Sequence, residues 1–235
     1  MILSVSQETA LEPVFRSLAL LPDPEFEVQG TLYFLDGHYL FRHKEGDKFI
    51  SKFVTSADLA AAFSQSEQDS GWMDPGVVRV GSNTKGLWTV YSAPAQKVEI
   101  RIDKEDVILV PIPRTVMLGN EETWWMWALK EKYFEANAAA YNAPFPNVYA
   151  DGKICWGQNK APRADATKGR ENWWKFFSTP FNGDLANGKS QAEQGDIRVI
   201  LRRLAEEKAK TYPLNDLVET ESSIGRLIDK KLGDL

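Results

Sequence analysis

The sequence predicts a mixed α+β fold in which strands come first and helices last. Between Phe26 and Val110, runs rich in β-branched and aromatic residues recur at intervals of roughly ten residues, with turn residues between them. Beyond Thr167, apolar residues recur at helical spacing instead. A block of strands followed by a block of helices is typical of α+β proteins.

The composition of the chain excludes several classes of function. Of its 235 residues, 43% are hydrophobic and 11% aromatic, which is enough for one large domain with appendages. A net charge of −5 and a pI of about 5.3 disfavour nucleic acid and anionic membranes as partners. One cysteine cannot form an internal disulfide, and there is neither a basic signal-peptide start nor an apolar run of about 20 residues. We therefore expect a soluble cytoplasmic protein.

The N-terminal part is predicted to be rich in strands. Residues 1–25 have the pattern of an arm or leading helix followed by a linker. Asp36–Gly37 lies between two strand-like runs, which is the strongest short hairpin signal. A second turn is predicted at 45–47, before a third strand.

A short helix and a boundary are predicted next. Thr55 and Asp58 have the spacing of a capping box at the start of that helix. The polar, turn-rich run 67–74 then marks a boundary between two domains. We expect an N-terminal β-rich extension over 1–70 and a second domain over 71–235.

The second domain is predicted to begin with an antiparallel meander and to end in helices. The meander strands are Val77–Val80, Leu87–Tyr91, Lys97–Ile102 and Val107–Val110. Pro111 and Pro113 end the meander or mark its edge. Further strands are predicted at Thr115–Leu118 and Thr123–Leu129, and Lys130–Ala140 is predicted to be helical. Later helices are predicted at Glu171–Phe177, Asp196–Lys210 and Leu227–Leu232.

The single cysteine, Cys155, is the candidate nucleophile. A thiolate attacks acyl carbons well and also leaves well, so a cysteine can accept an acyl group and pass it on. A Cys-His hydrolase would need a histidine base, and the two histidines, His38 and His43, lie far away in the sequence. A thioester carrier fits better, because exchange between thiols is nearly balanced in energy and attack by an amine can rely on positioning.

Asn147 precedes Cys155 by eight residues and is the candidate oxyanion donor. Its carboxamide could donate a hydrogen bond to the oxygen that becomes negative when an amine attacks the thioester. Gly152 would allow the turn that brings Asn147 back toward Cys155, and Pro146 would stiffen the approach.

These residues resemble the active-site segment of ubiquitin-conjugating enzymes. That segment has His-Pro-Asn, a hydrophobic residue, a turn containing glycine, and a pair such as Ile-Cys, with its asparagine and cysteine eight positions apart. The run Ala143-Pro-Phe-Pro-Asn-Val-Tyr-Ala-Asp-Gly-Lys-Ile-Cys-Trp-Gly is most similar to prokaryotic ubiquitin-conjugating-enzyme-like family D, whose best-known label is PRTRC system protein B. The run from Ser178 to Ser190 resembles a second block of that family.

The resemblance covers roughly residues 70–215 and implies a conjugating-enzyme-like core. It implies that Cys155 carries a ubiquitin-like modifier as a thioester and transfers it to an amine, with Asn147 as the second catalytic residue. The implied partners are the modifier, an activating (adenylating) enzyme homologue and an isopeptidase-like protein. No cofactor and no metal site are predicted in this chain. One position departs from the motif, because the histidine of the family is Phe145 here.

Plainer interpretations stay open for each of these residues. Cys155 could be a small buried hydrophobe, and Asn147 could be only a turn residue. Because Phe145 departs from the motif, the chain could instead be an inactive scaffold that binds a ubiquitin-like protein. Asp151 and two further carboxylates, Asp165 and Asp184, could orient an incoming lysine or could be solvated loop charges.

Gly183–Ser190 also satisfies the G-x-x-x-x-G-K-S pattern of a phosphate-binding loop. That pattern needs a buried strand before the loop and a helix directly after it. The preceding residues make a poor buried strand, and too little chain follows to complete a nucleotide-binding sheet. Nucleotide binding is therefore the less favoured alternative, and a glycine-rich surface loop near the candidate active face is the simpler one.

Overall fold

The computed structural model describes residues 29–36, 38–64, 71–103 and 106–233. They fall into two compact units, Met1–Asp69 and Ser70–Leu235. The predicted arm at 1–25 lies outside the described residues. That the two units are an extension and a catalytic domain stays a prediction.

The described residues of the first unit form a three-stranded antiparallel sheet and one helix. Its elements are β1 (Gly30–Leu35), β2 (His38–Glu45), β3 (Lys48–Val54) and α1 (Ser56–Ser64). The predicted hairpins are confirmed, since Leu35 pairs with His38 across the first turn and Glu45 with Lys48 across the second. The capping box is confirmed as well: Thr55 Oγ1 accepts the Asp58 N–H and Asp58 Oδ2 accepts the Thr55 N–H.

The second unit contains two sheets. Its strands are β4 (Val77–Asn83), β5 (Gly86–Ala93), β6 (Gln96–Ile102), β7 (Asp106–Ile112), β8 (Arg114–Asn120), β9 (Thr123–Leu129), β10 (Ala139–Asn142), β11 (Pro180–Phe181) and β12 (Glu219–Ser223). An antiparallel six-stranded sheet has the order β12-β10-β9-β8-β5-β4. A smaller sheet has the order β11-β6-β7, with β11 parallel to β6.

The strand pairing corrects the predicted meander. The strands exist where the pattern places them, but β5 pairs with β8, and β6 and β7 leave the large sheet as a hairpin of their own. The chain leaves the sheet at Pro94 and returns at Pro113. Proline has no N–H to continue a ladder, so each proline marks a corner and not merely a strand end. Regular spacing predicts strands but does not say which strands pair.

The predicted helix over Lys130–Ala140 is wrong. The segment is irregular until β10 begins at Ala139. Its carbonyls bond to other parts of the chain: Lys132 O accepts from the Arg114 guanidinium, and Ala136 O accepts the Gly225 N–H. Tertiary hydrogen bonds thus replace the intrahelical ones that the alanine-rich composition favours.

The three predicted C-terminal helices are confirmed with shifted ends. They are α2 (Gly169–Phe177), α3 (Ile197–Glu206) and α4 (Ile224–Gly233), with one 3-10 turn at Leu214–Asp216. α3 ends before Lys210 because Lys208 adopts a left-handed conformation (φ 51°). The N–H groups of Lys208 and Ala209 then bond back to Ala205 O and Leu204 O, which is the Schellman arrangement.

The helices cover both faces of the six-stranded sheet. On one face, Ile224 and Ile228 of α4 pack against apolar side chains of β5, β8 and β9. On the other face, α2, α3 and the β6–β7 hairpin enclose the larger core. This arrangement confirms a mixed α+β protein with antiparallel sheets and C-terminal helices. Among the described helices, none has the length and apolar character that crossing a membrane requires.

Candidate active site

The candidate motif lies along the free edge of β9. β10 pairs only with Trp127 and Ala128 of that strand, which leaves its first half without a neighbour on this side. The motif fills the gap: the Met126 N–H donates to Gly152 O and the Ile154 N–H donates to Trp124 O, each at 2.8 Å. The segment before Cys155 is therefore fixed to a central element of the fold.

The motif folds back on itself as a small antiparallel loop. Val148 and Ile154 form a bridge, and the Tyr149 N–H donates to Lys153 O at 2.8 Å. The Cys155 N–H donates to Asn147 O at 2.7 Å. The eight-residue spacing thus places the main chains of Asn147 and Cys155 side by side.

Gly152 makes the turn of this loop possible. Its φ is +87°, and its N–H donates to Tyr149 O at 2.9 Å. A Cβ at this position would lie 2.6 Å from Trp127 Nε1, closer than packed atoms approach. The predicted role of Gly152 as the turn residue therefore has two physical reasons, backbone conformation and lack of space.

We expect Gly152→Ala to lower the free energy of unfolding by about 2–5 kcal/mol, from left-handed strain of about 1–2 kcal/mol and overpacking of about 1–3 kcal/mol. Gly157→Ala is the matched control, because Gly157 also has a positive φ (+57°) but a Cβ there would meet no described atom within 4 Å. Denaturant unfolding of both variants separates strain from overpacking. Equal losses in the two variants would contradict a steric role for Trp127.

The side chain of Asn147 bonds to β11. Asn147 has a left-handed conformation (φ 61°), which asparagine tolerates better than most residues. Its Nδ2 donates to Pro180 O at 2.9 Å, and its main-chain N–H donates to Asp184 O at 3.4 Å. One carboxamide hydrogen is therefore directed at the Pro180 carbonyl, and a second hydrogen remains on the same nitrogen.

Cys155 is half-buried and lies on the wall of an open pocket. The pocket is lined by Tyr149, Asp151, Lys153, Ile154, Cys155, Trp156 and Gly157. Cys155 is thus not enclosed in the core, where a purely structural cysteine would be expected. An acyl group could reach it from the pocket.

Tyr149 is a site residue that the sequence analysis did not single out. Its pKa is raised, first by the charge of Cys155 and second by the interaction of the hydroxyl with the Cys155 side chain. The charges of Asp151 and Asp184 act in the same direction. Strand register could have predicted its position. When Val148 pairs with Ile154, Tyr149 and Cys155 lie on opposite arms of the loop, each next to one member of that pair.

The three candidate carboxylates have different surroundings in the structure. Burial acts to raise the pKa of Asp151, but the hydrogen bonds from Lys231 Nζ (2.8 Å) and the Lys153 N–H, with the charges of both lysines, together lower it. Asp184 is exposed and accepts from Asn182 Nδ2 at 2.9 Å. The charges of both act on Tyr149.

Asp165 has a local role. Its carboxylate accepts hydrogen bonds from the N–H and the hydroxyl of Thr167, which lower its pKa. It is a turn residue of the loop before α2. The two histidines, His38 and His43, belong to β2 in the first unit.

The loop Gly183–Ser190 does not have the form of a phosphate-binding loop. The side chain of Lys189 is buried, with Nζ 3.4 Å from Tyr149 O, and the Ser190 hydroxyl donates to Asp216 at 2.7 Å. α3 begins only at Ile197, so no helix N-terminus follows the loop directly. Burial lowers the pKa of Lys189 to about 8, against an opposing effect of the Asp151 charge.

Phe145 is an aromatic, apolar side chain at the position where the motif has histidine. It is fully buried, and its ring centroid lies 6.1, 5.1 and 6.3 Å from those of Phe176, Phe177 and Phe181. An aromatic cluster therefore replaces hydrogen bonding at this position. Within 29–36, 38–64, 71–103 and 106–233, no group of three or more His, Cys, Asp or Glu side chains could hold a metal ion.

Comparison with protein-family models matches residues 49–220 to prokaryotic E2 family D. The match covers the motif, Asn147, Cys155 and the loop Gly183–Ser190. It begins within β3 of the first unit, earlier than the resemblance over 70–215 noted from the sequence. No curated protein and no solved structure matches the chain.

Proposed function

The chain belongs to prokaryotic E2 family D, and from this premise we propose that it carries a ubiquitin-like modifier as a thioester on Cys155 and transfers it to an amine. The observation that carries the proposal is the placement of Cys155. Its half-buried thiol borders an open pocket, and its main chain is bonded to that of Asn147. The partners are the modifier and an activating enzyme homologue. An isopeptidase-like protein and membership of a PRTRC system belong to the same proposal.

Loading is a thiol exchange. The Cys155 thiolate attacks the carbonyl carbon of the modifier's C-terminal thioester on the activating enzyme. A new S–C bond forms, the old S–C bond breaks, and the activating enzyme's thiolate leaves. Because one thioester replaces another, the step is nearly balanced in energy and needs no oxidant or reductant.

Discharge is the attack of an amine on the thioester. The amine first gives up its ammonium proton to solvent, and its lone pair then forms the N–C bond while negative charge gathers on the carbonyl oxygen. When the carbonyl re-forms, the C–S bond breaks, the Cys155 thiolate leaves, and the remaining extra proton on nitrogen passes to solvent. The second hydrogen on Asn147 Nδ2 donates to that oxygen while the first stays on Pro180 O. Asp184, exposed near Tyr149, attracts the cationic amine to the pocket.

We extend the proposal to the architecture. Residues 71–235 form a conjugating-enzyme-like catalytic domain with C-terminal helices, and 1–70 form an N-terminal β-rich extension. The antiparallel sheet before Cys155 and the helices after it support this division. The family match, which begins at residue 49, suggests that the extension contributes β3 and α1 to the family's common region.

The test combines the purified chain with its cognate activating enzyme, the modifier and ATP. Non-reducing gels and intact-mass spectrometry should show an adduct of the chain and the modifier that a thiol reductant removes. The control is the thioester of the activating enzyme itself, which shows that the partner set is active. A charged activating enzyme without any adduct on this chain would contradict the proposal.

A scaffold is the second candidate, and the hydrogen bond between Asn147 and Pro180 favours it. A carboxamide engaged at 2.9 Å with the main chain would act as a structural anchor in a protein that binds a modifier without thioester chemistry. Calorimetry with the modifier distinguishes the two. Stable binding that is unchanged by Cys155→Ala, together with no adduct, would support the scaffold.

A further inference from the structure

Lys189 is almost completely buried, which is rare for a lysine side chain. Its exposure is 2%, and its described hydrogen bond goes to the Tyr149 carbonyl, with Nζ at 3.4 Å. Lysine heads are rarely fully buried unless they are paired, because removing an ammonium from water is costly. A buried ammonium therefore needs a reason in the surrounding structure.

The fold holds Lys189 in this position from both sides. On one side, Gly188 N donates to Gln194 O and Gly188 O accepts from Asn142 Nδ2. On the other, the buried hydroxyl of Ser190 donates to Asp216. The residues on both sides of Lys189 are therefore hydrogen-bonded to other parts of the chain, which fixes the main chain from which its side chain enters the interior.

The acceptor of the Lys189 hydrogen bond is the start of the motif turn. Tyr149 O receives the Gly152 N–H at 2.9 Å as well as the Lys189 ammonium. Tyr149 and Cys155 line the same open pocket, on the two arms of the loop that the Val148–Ile154 bridge closes. One residue thus joins the buried cation to the nucleophile.

We propose that Lys189 is a positioning residue for the chemistry at Cys155: its ammonium binds the Tyr149 carbonyl and holds the Tyr149–Gly152 turn in the closed form that sets Tyr149 against the thiol. This role rests on the proposed function. It also gives the G-K-S sequence of the loop a purpose other than phosphate binding. Lys189 acts through Tyr149 and does not touch the reacting atoms.

The charge state of Lys189 supports this role. With a pKa lowered to about 8 by burial, the side chain is mostly the ammonium at pH 7. A charged donor binds a carbonyl more strongly than a neutral one. Asp151, on the turn itself, is the acidic group whose charge favours the ammonium.

The test compares Lys189→Met with Lys160→Met. Methionine keeps an apolar chain of similar length and removes the cation; Lys160 is an exposed lysine outside the machinery described above. For Lys189→Met we expect an unfolding midpoint that is unchanged or raised, because a buried charge is removed. We also expect amide exchange at Gly152 and Cys155 about tenfold faster, and discharge of the loaded thioester about tenfold slower at unchanged KM for the amine. Lys160→Met should match the wild type in each.

Exchange and discharge that both stay within twofold of the wild type would overturn the proposal. A lower midpoint with faster exchange along the whole chain would point to packing alone and would also overturn it. The wild type gives a measurement that needs no variant: ¹⁵N NMR of labelled lysine should show one slowly exchanging, hydrogen-bonded ammonium at neutral pH, and its absence would overturn the proposal. Exchange and NMR need no partner proteins, so failure of the wild type to form an adduct would count against the proposed function separately.

Discussion

Serine in place of Cys155 is expected to abolish the reductant-sensitive adduct, with the rate of adduct formation falling on the order of 10³-fold or more. A cysteine is partly thiolate near neutral pH, whereas a serine hydroxyl stays protonated without a strong base beside it. Any product on serine would be an oxygen ester, which thiol reductants do not cleave. Quantitative non-reducing gels at fixed activating-enzyme concentration measure the change.

The composition of the chain makes this result easy to interpret. Cys155 is the single cysteine among 235 residues, so no other side chain of this protein can form a thioester or a disulfide. Because the thiol is only half-buried, the serine variant should keep its stability within about 1 kcal/mol, and denaturant unfolding provides that control. A reductant-sensitive adduct that persists on the serine variant would disprove the thioester assignment.

Local signals in the sequence predicted most of the elements. The hairpin at Asp36, the capping box at Thr55 and the buried stripe of α3 each depend on residues within one turn or one helix, and the structure confirms them. The failures depend on distant residues. The Lys130–Ala140 segment is held open by Arg114 and α4, and the strand order depends on corners at Pro94 and Pro113.

The same difference between local and distant contacts applies to the candidate site. The proximity of Asn147 and Cys155 follows from a closed loop of eight residues, so spacing could predict it. The contacts of this loop with the rest of the chain could not be predicted. Pro180 lies 33 residues from Asn147, and Lys189 lies 40 residues from Tyr149. No periodic pattern in the sequence connects either pair, so neither contact could be predicted.

Removal of the Asn147 carboxamide is expected to slow discharge by about 10²–10³-fold while leaving loading within a few-fold. Both steps form an oxyanion, but loading takes place against the activating enzyme, whereas in discharge the oxyanion forms beside this chain and an incoming amine. We therefore expect the loss of the Asn147 donor to act mainly on discharge. Asn147→Gly is the preferred variant, because glycine accepts the left-handed conformation (φ 61°) that would strain alanine. A single-turnover chase measures discharge separately: the chain is loaded, the activating enzyme is stopped, and free lysine is added.

The anchor to Pro180 makes a second prediction possible from the same variant. If the carboxamide serves only to hold β11, its loss should lower stability and slow loading and discharge together. Pro180→Ala is the matched control, because it retains the carbonyl that accepts the Asn147 hydrogen bond while testing whether a disturbed β11 alone affects discharge. A donor to the oxyanion predicts that Asn147→Gly separates the two steps by at least about tenfold and that Pro180→Ala does not. Equal slowing of loading and discharge in Asn147→Gly would assign Asn147 to the fold and leave Cys155 without an oxyanion donor from this residue.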